Sequence, residues 1–295
     1  MKKKTVNAPN RPLCMTDWVR IMLKTNVPRL LFRGQNLRAS RLLLCLVGFL
    51  LVQPIYALDR NNLTFYLPFE GDFKPAIAPA NTEIKLKDFI LPDLGSFKYM
   101  TEDNKKYLDP NDKSPRKLEF VPGRRGQGLK VTENPTRFRV YSYPCVQYMA
   151  RECFTPKEGT IALWMKPVGW GGSPHRYFVA VTADNCTIRF YSYPGGTHIW
   201  LDAKDKYRLI SASGWQGWKD GQWSFLAFTY KPGQQCFYVD GQLMMKSTEG
   251  LIEPKFEKTG LIEISEGDQV VDELMVFNQP LTAPEIMALY QANNK

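Results

Sequence analysis

Histidine is nearly missing from this chain: His175 and His198 are the only two in 295 residues. Two histidines are too few for a histidine metal cluster. No Cys-x-x-Cys pair with zinc-site spacing occurs either, which removes the usual structural zinc motifs. No serine or cysteine sits in a G-x-S-x-G turn, so the nucleophile-elbow hydrolases are excluded. Long apolar runs are also lacking. The longest, LLLCLVGFLLV over Leu42–Val52, has 11 residues, short of the about 20 that a membrane-spanning helix needs.

Charge of one sign is present overall but not where a ligand would meet it. The formal net charge is +10, a value that by itself points to nucleic acid or an anionic surface. Residues 1–57 hold ten of the 39 Lys/Arg and one of the 29 acids, leaving +1 for everything after them. The remainder therefore has no electrostatic claim on nucleic acid. The basic stretch to Arg41, the apolar run 42–52, the breaker Gln53-Pro54 and the small residue Ala57 read together as a secretory signal. Left uncleaved, the segment 42–58 would instead anchor the chain in a membrane. Met22 opens a basic stretch of ordinary signal length and is a second candidate start. The expected location is exported: periplasmic, cell-surface or secreted.

After that segment come four cysteines, Cys145, Cys153, Cys186 and Cys236. Four cysteines allow three pairings, which spacing does not decide. Cys145–Cys153 across a short loop with Cys186–Cys236 between strands is one arrangement. Buried thiols in alternating strands is the other.

From Leu63 onward the chain is a succession of short strand-like runs. They include LTFYLPFEG, FRVYSY, GTIALWMKP, RYFVAVTA, CTIRFYSY, THIWLDA, YRLISA, WSFLAFTY, QCFYVDG, LIEIS and VVDELMVFN. FYVDGQLM has the Asp-Gly turn of a two-residue hairpin. The stretch 72–117 is polar and proline-bearing, and reads as a loop-rich insertion. Helical signals come only at the end, where Thr282 caps PEIMALYQ with Glu285 in the capping-box position. Many strands and one terminal helix make an all-β antiparallel sandwich, not βαβ units. Alternation buries one face of each strand: Phe65, Leu67 and Phe69; Ile161, Leu163 and Met165; Phe225, Ala227 and Thr229. The domain is expected to span 58–295.

Five blocks in order carry a resemblance: YLPFEGD, FVPGRRGQGLKV, GTIALWMKP with Trp164, GQWSFLAFTYKPGQQCFYVDGQLM with Trp223, and VVDELMVFNQPLTAPEIMALYQ. The exported part resembles the LamG-like, concanavalin A-type jelly-roll domains common in secreted bacterial proteins. That resemblance implies two antiparallel sheets face to face, with the first and last strands adjacent. It also implies a structural Ca²⁺ at that seam, for which Glu70, Asp72 and Asp272 are the candidate ligands. Ca²⁺ takes six to eight oxygens, so backbone carbonyls would have to complete the shell. The competing reading is solvated strand-end carboxylates.

Aromatic residues supply the binding candidates. Trp215 and Trp218 lie among Gly, Gln and Lys, Trp170 lies in a Gly-rich stretch, and Trp200 lies on a strand. Flat aromatic faces stack on sugar rings while nearby polar groups hydrogen-bond the hydroxyls. Against this, glycine-rich loops can fold such residues back onto the sandwich edge. Glucanases of this architecture carry E-x-D-x-x-E on one strand, with carboxyls about 5 Å apart in the retaining type. Glu263-Ile-Ser-Glu266 lacks the middle Asp and points its two acids to opposite faces. The expected function is a non-catalytic module that binds a glycan or a surface protein through loops at one end of the sandwich. A structural or adhesive surface component is the first alternative, and a divergent glycan-active enzyme the second.

Overall fold

The computed structural model describes residues 62–89, 117–132, 143–170, 176–193, 196–265 and 268–292. The expected signal segment with Met22, the expected strand FRVYSY up to residue 142, His175 and Glu266 lie outside them. Two antiparallel sheets face each other. The first runs β13 (Gln242–Ser247), β12 (Gln234–Val239), β11 (Ser224–Lys231), β6 (Gly159–Pro167), β15 (Gln269–Phe277), β4 (Gln127–Thr132) and β3 (Lys117–Pro122), with β1 (Leu63–Leu67) also paired to β15. The second runs β10 (Lys206–Ser211), β9 (Gly196–Ala203), β8 (Thr187–Tyr193), β7 (Arg176–Thr182), β14 (Leu261–Ile264), β5 (Tyr143–Met149) and β2 (Glu83–Phe89). The helix α1 (Ala283–Ala292) follows β15. Among the described residues no helix is long and apolar enough to cross a membrane.

Period-two alternation builds the layer between the sheets. Phe65, Leu67, Phe69, Ile161, Leu163, Met165, Phe178, Phe190, Ile199, Leu201 and Phe228 meet there, all with no solvent exposure. Burying side chains of this size contributes about 1.5–3 kcal/mol each. A second, smaller core lies on the other side of the eight-stranded sheet. Trp164, Phe225, Ala227, Cys236, Met275 and Phe277 pack there against Ile286 and Leu289 of α1. β11 is consequently buried on both faces, with Leu226 and Phe228 toward one core and Phe225 and Ala227 toward the other. One-sided burial was expected of this strand. The helix is held at its start by Glu285, whose carboxylate accepts the Thr282 N–H and hydroxyl, each at 2.7 Å.

The stretch 72–117 is not all loop. β2 occupies Glu83–Phe89 and pairs along β5, a strand that the charges of EIKLKDF conceal. The Asp240-Gly241 hairpin forms as expected, both residues having positive φ (49° and 77°), the backbone of a type I′ turn. β1 and β15, the first and last strands, are neighbours.

β15 changes partner halfway along. Gln269–Val271 pair with β4, whereas Leu274–Phe277 pair with β1. Between them lies an irregularity opposite β6, with Glu273 at φ 51°. A bulge of this kind re-aims side chains at a strand junction.

Candidate functional site

The outer face of the seven-stranded sheet carries a run of aromatic side chains. Ile188, Phe190, Ile199, Leu201 and Ile210 point into the inter-sheet core. Strand alternation therefore turns Arg189, Tyr191, Tyr193, His198, Trp200, Asp202 and Tyr207 the other way. A bulge between Tyr177 and Val179 lets Phe178 and Val179 both enter the core, leaving Tyr177 outward and opposite Tyr191. Cross-strand register puts Trp200 beside Arg189 and Leu209, His198 beside Tyr191 and Ser211, and Asp202 beside Tyr207.

The rings touch one another across these strands. Tyr177 stacks on Tyr191 at 4.6 Å between centroids. Trp200 meets both edge-on, at 5.9 and 5.3 Å, and Tyr207 lies 5.6 Å from Trp200. Tyr193 joins through Tyr191 and His198, at 5.9 and 6.2 Å. Tyr191 is the buried floor. Tyr207 is 69% and Tyr193 44% exposed, and Trp200 and Tyr177 are partly exposed. Four strands at sheet spacing make this platform about 14 Å wide.

Polar groups are set among the rings. Arg189 Nη1 and Asp202 Oδ2 form an ion pair at 2.7 Å, and the guanidinium also lies over the Tyr177 ring, 5.5 Å from its centroid. His198 Nδ1 is hydrogen-bonded to Ser211 Oγ at 2.8 Å, and burial lowers the imidazole pKa, so the ring is neutral at pH 7. Among the described residues neither His198 Nε2 nor Trp200 Nε1 has a hydrogen-bond partner.

The four candidate tryptophans do not converge. Trp170 and Trp218 are buried, 5% and 8% exposed, and pack edge-on at 5.6 Å. Trp215 is partly buried against Trp218 at 4.7 Å, and Trp218 also meets Phe178 at 5.8 Å. These three close one edge of the inter-sheet core, and the Trp170 N–H is held by Asp220 at 3.1 Å. Only Trp200 belongs to the aromatic face. Its tyrosine neighbours were not among the sequence candidates. Parity finds two of them: marking the residues out of phase with Ile188, Phe190, Ile199 and Leu201 selects Tyr191 and Tyr193, whereas Tyr177 turns outward through a bulge and Tyr207 lies on the next strand.

At the seam between β1 and β15 the buried acids meet backbone N–H donors. Asp272 has no solvent exposure, and its carboxylate accepts the N–H groups of Arg124 (2.6 Å), Arg125 (3.0 Å) and Glu273 (2.8 Å). A Cβ at Gly123 would stand 2.6 Å from that carboxylate, so the close approach requires glycine. Burial pushes the Asp272 carboxyl up to about 7; the Arg125 and Arg124 donors oppose this and adjacent Glu273 adds to it. Glu273 is raised by burial too, and accepts the Tyr66 hydroxyl at 2.7 Å. Glu70 is turned onto the Gln127 N–H and Asp72 onto the Lys74 N–H. Among the described residues no group of three or more His, Cys, Asp or Glu is placed to hold a metal. Of the expected set, Asp272 and Glu70 are turned onto N–H groups of the same 123–127 turn and Asp72 onto that of Lys74, and Ca²⁺ would need further oxygens from the backbone there.

The two disulfide pairings are not formed either; the four cysteines are buried thiols. Cys153 and Cys186 belong to the inter-sheet core, while Cys236 faces α1 on the other side of its sheet. Cys145 is out of phase with Val146 and Tyr148, which point inward on β5. Each expected pair thus has its side chains in different layers.

Residues 143–287 match the family model described as the concanavalin A-like lectin/glucanases superfamily, in agreement with the resemblance carried by the sequence blocks. No curated protein sequence matches the chain. Among solved structures, domain 4 of AbnA, a GH43 extracellular arabinanase from Geobacillus stearothermophilus determined with arabinotriose, superposes with a TM-score of 0.51. It is 15% identical, over 78% of this chain and 98% of that one. The receptor-binding domain of botulinum neurotoxin mosaic serotype C/D has a TM-score of 0.54 at 13% identity, over 79% of this chain and 51% of that one. The binding domain of Paraclostridial Mosquitocidal Protein 1 has a TM-score of 0.53 at 16% identity, over 79% and 52%. The chain spans about half the length of the two toxin domains. Identities this low show a shared fold and no more.

Proposed function

We propose that this chain is an exported, non-catalytic binding module whose ligand is a glycan, held on the outer face of the seven-stranded sheet and not by loops at the sandwich end. The observation that carries this reading is the aromatic platform Tyr177–Trp200–Tyr207, flanked by Tyr193 and open to solvent. Apolar faces of sugar rings stack on such rings. The Arg189–Asp202 pair, with Asp202 45% exposed, supplies polar groups for hydroxyls at the same surface. One solved domain of this fold was determined with arabinotriose, which supports a sugar as the class of ligand without specifying which.

The same face supports the non-catalytic reading. Glycoside hydrolysis uses two carboxyls no more than about 9.5 Å apart. Asp202 and Glu263 face this side from β9 and β14, three strand spacings apart, or about 14 Å. Both are engaged: Asp202 with Arg189, and Glu263 with Gln147 and Ser265. A glycan array probed with residues 58–295 and with its Trp200→Ala variant tests the proposal. Signals that vanish in the variant are expected; signals that persist unchanged would move the site elsewhere.

A further inference from the structure

We propose that the Arg189–Asp202 ion pair makes this aromatic face selective for uncharged glycans, closing it to uronate- and sulfate-bearing chains. The inference rests on the glycan reading of the face and deepens it. Arg189 is the cation at the centre of the platform, and a planar guanidinium is the group best suited to seize a carboxylate or sulfate in two-point fashion. Here it is already taken. Its Nη1 is 2.7 Å from Asp202 Oδ2, and its plane is held near the Tyr177 ring. An acidic sugar would have to displace a built-in carboxylate that is already in register.

The other groups at the centre add no positive charge. His198 is neutral at pH 7 because its ring is partly buried, and its Nδ1 is spent on Ser211. Asp202 is 45% exposed. Its free lone pairs face the solvent side of the platform, where they accept hydroxyl protons and repel anions. Arg189 is only 20% exposed, so the accessible part of the pair is its negative end. The pair thus offers hydroxyl recognition while presenting the wrong sign to an acidic chain. Specificity of this kind comes from the penalty imposed on the wrong ligand as much as from contacts to the right one.

The test is an array of matched oligosaccharides, galactose- against galacturonate-based and glucose- against glucuronate-based, followed by titration of the hits. The wild-type chain should bind neutral members and pass over their acid counterparts. Asp202→Asn frees Arg189 and should raise affinity for the uronate counterpart by about tenfold or more, the scale of one charge-assisted hydrogen bond. That gain should fade as salt is added and be absent in Asp202→Asn/Arg189→Gln. Thermal melts confirm that each variant is folded. Uronate binding by the wild type equal to or tighter than neutral binding would overturn the inference. So would a folded Asp202→Asn variant with no uronate gain beside a wild type that binds neutral sugar. A wild type that binds no sugar at all would bring down the glycan reading itself, and this inference with it.

Discussion

The Asp272 carboxylate accepts the backbone N–H of Arg124 at 2.6 Å, tying the bulge of β15 to the turn between β3 and β4. The bond sits where β15 trades one neighbour strand for another. A carboxyl buried there replaces the ladder partners that the strand exchange takes away.

Stability should fall as pH rises from about 4 to about 7. The Asp272 carboxyl titrates near 7 in the fold, against about 3.9 in an unfolded chain. Between those values the folded state holds a proton that the unfolded state has released, so raising the pH favours unfolding. The slope from this one group reaches about 1.4 kcal/mol per pH unit, and Glu273, also raised by burial, acts in the same direction. Urea melts across this range should show the decline, and Asp272→Asn should flatten it. His198, lowered by burial, acts in the opposite direction below about pH 6.5, so the comparison with the variant carries the test: equal slopes in wild type and Asp272→Asn would contradict the assignment.

Removing Trp200 and removing Trp218 should have opposite signatures. Trp200→Ala and Tyr207→Ala trim a solvent-facing platform, so glycan affinity should drop about tenfold or more while the midpoint of unfolding barely moves. Trp218→Ala opens a cavity at the edge of the inter-sheet core and should cost about 3 kcal/mol, with affinity retained in the folded fraction. Calorimetry on the three variants separates the two roles.

Calcium should make no difference. Asp272 and Glu70 are already turned onto N–H groups of the turn between β3 and β4, and Asp72 onto that of Lys74. Thermal midpoints with EDTA and with millimolar Ca²⁺ are expected to coincide. A rise of several degrees in Ca²⁺ would mean that backbone carbonyls complete a shell around these acids after all.

The thiols should be silent in the native state. Cys153 and Cys186 are raised by burial, the latter to about 12, so almost no thiolate is available to react at neutral pH. Ellman's reagent should label Cys153 and Cys186 only after denaturant is added, and reductant should leave the melting temperature unchanged. A mass short by one hydrogen pair per bridge would show pairing instead.

The sandwich was legible because alternation and turn chemistry are local signals. Asp240-Gly241 declared its hairpin, and Phe65, Leu67 and Phe69 declared their inward face. β11 was misread on one side because Phe225 and Ala227 are buried only once α1 arrives from about sixty residues on, a tertiary effect no strand periodicity contains. β2 was missed because Glu83, Lys85, Lys87 and Asp88 are interspersed among its apolar residues. The binding face was half visible. Trp200 stood out by residue type, but Tyr177 joins it only through a bulge, and Tyr207 through a neighbouring strand. Trp170, Trp215 and Trp218 looked exposed among glycines. Those glycines are what allow the loop to fold the rings onto the sandwich edge.

The most direct test of the glycan-binding face is an indole N–H spectrum of the ¹⁵N-labelled domain, titrated with the neutral oligosaccharides selected on the array. The Trp200 resonance should shift with ligand, since a sugar stacked on the platform changes the ring-current surroundings of its partly exposed indole beside Tyr177 and Tyr207, while those of Trp170, Trp215 and Trp218 stay in place. Movement of those three with Trp200 fixed would put the site at the sandwich end and contradict the account.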